Sequence, residues 1–154
     1  MSPSSVLVTG ASTGIGRATA LHLHGLGFTV YAGVRKPADG EALVAAASDR
    51  LVPLILDVTD AAAIDAARAA ITTAGIPLAG LVNNAGIAAA APLEFVPLDE
   101  FRTQLEVNVV GQLAVTQALL PLLRESRGRI VNVTSVAGLF AGPSNTIRLL
   151  LFAF

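Results

Sequence analysis

Three glycines in "VLVTGASTGIGRATALHL", Gly10, Gly14 and Gly16, follow a short apolar run and stand at the mouth of a helical pattern. Each has a physical task in that setting. The first permits a tight turn, the second lets bare backbone approach a pyrophosphate, and the third allows close helix packing. The helix that follows offers unpaired N–H groups and a partial positive charge to the phosphates. A second chemical signal ends the next apolar run, "TVYAGVRKPAD". A dinucleotide with a free ribose 2′-hydroxyl is commonly met there by Asp or Glu, and one carrying a 2′-phosphate by Arg. Val34, Arg35 and Lys36 occupy that place. Arg35 offers a planar, permanently charged fork that grips a phosphate and stacks on adenine, and Lys36 adds a point charge. The expected cofactor is therefore NADP (NADPH) in preference to NAD.

Such a loop has to be carried by alternating strands and helices. Short runs rich in Val, Ile and Leu predict strands at 6–9, 29–33, 51–56, 80–83 and 129–133. Between them, helices are expected at 15–26, about 40–47, 60–73 and 98–124, the pattern of βαβ units around a parallel sheet. Asp60 can cap the third helix and Gly75 can close it. The fourth contains Gly111 and Pro121, and a kink or early stop is expected at the proline.

At 154 residues the chain fits one domain, 53% hydrophobic and only 14% charged, with a net charge of −1. Nucleic acid and anionic membrane are not expected partners, because no basic field is available. With no cysteine there is neither a disulfide framework nor a thiolate metal site, which suits a cytoplasmic location. His22 and His24 point to different helix faces, so no metal site is expected. The uncharged stretch around residues 69–93 is broken by Asn83, Asn84, Pro77 and Pro92 and reads as strand and loops. The N-terminus lacks the basic flank of a secretory signal.

Five motifs in order resemble the short-chain dehydrogenase/reductase family, across residues 6–143. "TGASTGIG" resembles its cofactor loop, and the resemblance assigns Gly10, Ser12, Thr13, Gly14, Ile15 and Gly16 to cofactor binding. "LDVTD" resembles the segment after the third strand, where Asp57 would meet the adenine amine and Val58 its ring. "NNAG" resembles the signature after the fourth strand and implies cofactor contact by Asn84, Ala85 and Gly86. "NVVG" implies that Asn108 is the family's catalytic Asn, and "GRIVNVTSVAG" that Ser135 is its catalytic Ser. Arg35 falls where NADP-preferring members carry a basic residue. The implied fold is an α/β, Rossmann-type doubly wound parallel sheet, incomplete at about five strands in the order 3-2-1-4-5. Plainer readings of the same residues stay open. Ser135 can cap a strand-end turn, Asn108 can bond its helical neighbours, and Arg35 and Lys36 can be solvated loop cations.

The resemblance implies a carbonyl or secondary-alcohol substrate, with a Tyr as proton donor and a Lys one helical turn later. Counted from Ser135 at the family's spacing, these positions fall on Arg148 and Phe152, and the chain's only tyrosine and lysine are Tyr31 and Lys36. Arg cannot serve as the acid. The expectation is a dinucleotide-binding domain over 1–146 followed by a non-family apolar tail, "IRLLLFAF", over 147–154. Three readings follow: an oxidoreductase by ancestry that is catalytically impaired, a non-catalytic NADP-binding or interaction protein, or a truncated or frameshifted product. Translation of the coding DNA beyond Thr146 in the other two frames separates the last from the others. A homo-oligomer with an incomplete interface is expected, and the near wall of a substrate pocket falls on 88–95 and 136–143.

Overall fold

A computed structural model of the chain describes residues 3–47, 49–88 and 93–135. The tail at 147–154, the positions Arg148 and Phe152, and the pocket walls at 89–92 and 136–143 lie outside the described residues. Five strands, β1 (Ser5–Val8), β2 (Thr29–Val34), β3 (Leu51–Ile55), β4 (Leu78–Asn83) and β5 (Arg129–Asn132), form one sheet in the order β3-β2-β1-β4-β5. Every adjacent pair is parallel. The helices are α1 (Gly14–Gly25), α2 (Pro37–Ala45), α3 (Ala61–Ala74), α4 (Leu98–Leu105) and α5 (Gln112–Ser126). This is the Rossmann-type architecture expected, with β1 at the centre and the strand order reversing between β1 and β4.

Period-two side-chain alternation explains why both sheet faces are covered. Val6 and Val8 point into one core with Val30, Ala32, Val34 and Val82, closed by Ala20 of α1 and Leu43 of α2. Leu7, Tyr31 and Leu81 point into the other, closed by Ile64 and Ile71 of α3 and by Val115, Leu119 and Leu123 of α5. Those three α5 residues recur every fourth position, so they form a single stripe. The stretch Leu98–Ser126 is long and apolar enough to cross a membrane by length and composition, yet its buried stripe serves this core. β5 is the outer strand on its side among the described residues, and its four residues are exposed.

Local signals account for the element ends. Asp60 accepts hydrogen bonds from Ala62 N and Ala63 N, and Gly75 closes α3 in the left-handed region. α2 begins three residues earlier than expected because Pro37, with its fixed φ, opens the first turn. β4 begins at Leu78, two residues early, since Leu78 is buried and pairs in register with Ser5. The helix does not stop at Pro121 and continues to Ser126. Between α4 and α5 the backbone widens into a π-helical segment, Glu106–Gly111, that nothing in the sequence pattern foretold. There Gly111 lies against Val58, in the segment that follows β3. A Cβ at Gly111 would stand 2.8 Å from Val58 Cγ2.

Tyr31 leaves a polar group stranded in this core. Its side chain is buried, and among the described residues its hydroxyl has no hydrogen-bond partner. Burial also raises the phenol pKa above its ordinary value. Stranding a buried hydroxyl costs about 1–3 kcal/mol. Tyr31→Phe is therefore expected to stabilise the fold by about 1 kcal/mol, raising Tm by about 2–4 °C in a thermal melt. An unchanged or lowered Tm would show that the hydroxyl is satisfied in solution.

Candidate functional site

The carboxyl ends of β1 to β4 converge on a cleft of about 980 Å³, at the place where a doubly wound sheet opens a crevice. Gly10, Ser12, Thr13, Gly14, Ile15 and Gly16 form its floor, and Arg35, Asp57 and Val58 stand at one end. Asn84, Ala85, Gly86 and Ile87 form the other end, and Arg102, Thr103, Glu106 and Val107 line the cleft from α4 and the π segment.

The floor has the geometry of an anion cradle. Thr13, extended at the start of α1, makes no side-chain cap, so the first N–H groups of the helix have no side-chain acceptor there. Gly14 has φ +54° and open space where a Cβ would stand. At Gly16 a Cβ would run into Gly10 O and Asn84 Nδ2. A side chain at Gly14 would fill the space above the floor and one at Gly16 would break it. These residues fit the pyrophosphate of a dinucleotide.

Hydrogen bonds from distant segments hold the cradle in register. Thr9 Oγ1 accepts from Asn84 N at 3.0 Å and Ala85 N at 2.9 Å, and it donates to Val82 O. Asn84 Nδ2 returns bonds to Thr9 O at 3.0 Å and Gly10 O at 3.1 Å. The ends of β1 and β4 are thereby laced together. Asn108, buried in the π segment, donates from Nδ2 to Ile87 O and accepts from Ile87 N at Oδ1, both at 2.9 Å. It therefore braces a loop far away in sequence rather than its helical neighbours. Gln112, one turn later, donates from Nε2 to Ala85 O at 3.2 Å. Asn83 Nδ2 donates to Thr116 Oγ1 and Asn132 Oδ1, tying β4 to α5 and β5.

At the opposite end, Asp57 Oδ1 accepts from Thr59 N at 2.9 Å and Thr59 Oγ1 at 2.7 Å. These bonds hold its carboxyl below the usual range against the opposing effect of burial, with a smaller contribution from the positive charge of Arg35. Arg35 is exposed and lines the cleft. Lys36 is exposed at the start of α2 and is not among the lining residues. Val58 is buried beneath the π segment.

A smaller pocket of about 220 Å³ continues from the Asn84 end, lined by Ile15, residues 84–88, Asn108, Gln112, Val133 and Thr134. Ser135, half-buried, follows Thr134 beyond the end of β5. Tyr31 lies in the core and lines neither pocket. Among the described residues no group of three His, Cys, Asp or Glu side chains is placed to hold a metal ion.

Thr9 and Gln112 were missed as site residues by reading the sequence. Thr9 stands inside the glycine motif, but its task depends on partners some 75 positions away. Gln112 shares a helix face with Asn108 by its spacing, which was the one available signal.

The family model described as short chain dehydrogenase matches residues 4–147. Retinol dehydrogenase 5 of Mus musculus is 43% identical over 143 residues, covering 91% of this chain and 45% of the relative. A short-chain dehydrogenase from Streptomyces avermitilis superposes with a TM-score of 0.91 at 36% identity, covering 99% of this chain and 56% of that one. The closed form of serine dehydrogenase complexed with NADP⁺ gives a TM-score of 0.90 at 30% identity, covering 97% and 61%. The chain thus spans about half the length of the curated relatives it matches. A glycine cradle at the switch point, a loop braced by Asn108, and a family model matched from residue 4 to residue 147 agree: the chain belongs to the short-chain dehydrogenase family.

Proposed function

We propose that this chain binds NADP(H) and forms the cofactor-holding part of an oxidoreductase for a small-molecule carbonyl or secondary alcohol. The observation that carries the reading is the bare-backbone cradle at residues 10–16, with Arg35 standing at one end of the same cleft. Backbone N–H groups at the start of α1 receive the pyrophosphate, and the Arg35 guanidinium grips the 2′-phosphate. Asp57, with Oδ1 engaged by Thr59, has its second oxygen for the adenine amine. When bound, the cofactor supplies the hydride. Ser135 orients the substrate oxygen, and Asn108 acts as a positioning residue that holds the loop between the two pockets.

Proton delivery is the step these residues do not provide. The only tyrosine, Tyr31, is buried away from the cleft with its pKa raised, and the only lysine, Lys36, is the exposed residue just before α2. Absence of a general acid lowers rate by about 10²- to 10⁴-fold. These 154 residues by themselves are proposed to bind cofactor with little turnover.

Titration calorimetry with NADPH and NADH tests the reading. NADPH is expected to bind more tightly, and Arg35→Ser to weaken NADPH about tenfold while leaving NADH unchanged, the loss of one charge-assisted contact. Equal affinities in the unsubstituted chain would overturn the NADP preference. Absence of binding by both would overturn the cofactor reading itself.

A further inference from the structure

The two pockets share Ile15 and residues 84–87, so they form one continuous trough with Arg35 and Asp57 at one end and the smaller pocket at the other. On the cofactor reading above, on which this inference rests, a dinucleotide has its 2′-phosphate at Arg35 and its pyrophosphate over the glycines. The smaller pocket lies on the β4 and β5 side of the glycines, opposite Arg35, where the nicotinamide half would extend. That pocket has three side-chain amides, and their hydrogen bonds differ. Asn108 is engaged at both amide atoms by Ile87. Asn84 lies against the glycine loop, its Nδ2 bonded to Thr9 O and Gly10 O. Gln112 reaches in from α5 and is anchored only through Nε2, to Ala85 O. A carbonyl oxygen cannot donate, so the amide nitrogen must face Ala85 O and Oε1 must be turned away from it. Among the described residues that oxygen has no donor.

We infer that Gln112 is a specificity-determining residue for the nicotinamide end, its Oε1 accepting a hydrogen bond from the carboxamide N–H₂ of the bound cofactor. Nε2 on Ala85 O fixes the amide before the ligand arrives, so little side-chain freedom is lost on binding. Thr134 offers a hydroxyl to the same pocket but is exposed, where water competes for it.

The test compares three probes on the whole chain by calorimetry: NADP⁺, its 3-acetylpyridine analogue, which has a methyl ketone in place of the carboxamide, and 2′,5′-ADP, which lacks the nicotinamide half. The unsubstituted chain is expected to bind NADP⁺ about fivefold more tightly than the acetylpyridine analogue, the worth of one neutral hydrogen bond. In Gln112→Met, similar in length but lacking both the acceptor oxygen and the donor to Ala85 O, that gap is expected to close, while 2′,5′-ADP, held at the Arg35 and glycine-loop end outside the smaller pocket's nicotinamide side, keeps its affinity because Thr9 and Asn84 still hold that loop. Retention of the gap in Gln112→Met, or no gap in the unsubstituted chain, overturns the inference and leaves the cofactor reading standing. Parallel loss of 2′,5′-ADP binding in the variant also overturns it, by showing a purely structural role. Failure of both NADP⁺ and 2′,5′-ADP to bind the unsubstituted chain overturns the inference and the cofactor reading together.

Discussion

Gly16→Ala is expected to lower unfolding free energy by about 3 kcal/mol and to abolish cofactor binding, whereas Gly14→Ala should lose binding at a stability cost of only about 1 kcal/mol. The difference lies in what each new methyl group meets. At Gly16 it collides with Gly10 O and Asn84 Nδ2, and Asn84 is itself bonded to Thr9 O and Gly10 O. Neither partner can yield without separating β1 from the loop after β4. At Gly14 the methyl enters open space, and the only intrinsic penalty is the left-handed backbone at φ +54°. That open space is where the phosphates are placed, so binding is lost there by exclusion. Urea denaturation gives the stabilities, and the thermal shift with excess NADPH reports binding. Near-normal stability in Gly16→Ala, or retained binding in Gly14→Ala, would contradict the cradle geometry.

Asn108→Leu should cost about 2–4 kcal/mol, because both the N–H and the C=O of Ile87 lose their partners at once. Leucine preserves much of the volume, so the loss isolates hydrogen bonding from cavity formation. Asn108→Asp sharpens the test. Its carboxylate can still accept from Ile87 N, but it faces Ile87 O with negative charge. The protonated acid can instead donate to that oxygen, so the folded-state pKa of the new Asp is raised above its unfolded value. Its stability deficit should therefore shrink as pH falls toward the carboxylate range. A deficit independent of pH would mean that the side chain has turned away from Ile87.

The strand and helix pattern was legible because its signals are local. Val6, Leu7 and Val8 read as a strand covered on both faces, and they divide between two cores by simple alternation. Asp60 and Gly75 mark the ends of α3 through bonds to residues close by in sequence. The early stop that Pro121 offered did not occur, for a related reason. A proline weakens a helix locally, but the packing of Leu119 and Leu123 on both sides of it carries α5 past that point. The π segment had no sequence signature at all. It lies where Gly111 packs against Val58, a contact between segments more than 50 positions apart.

Residue types in order determined the glycine loop, the basic end of β2, the five parallel strands and the family to which they belong. Backbone conformation and capping depend on neighbours along the chain, so such features survive in a one-dimensional reading. Tertiary structure alone decided that Arg35 lines the cleft while Lys36, its neighbour, is not among the lining residues. It also decided that Asn108 bonds Ile87 at both ends, and that Thr9 and Gln112 join the same brace. A hydrogen bond is a matter of distance and angle between atoms. Where its partners lie tens of residues apart, only the packed sheet and helices bring them within reach.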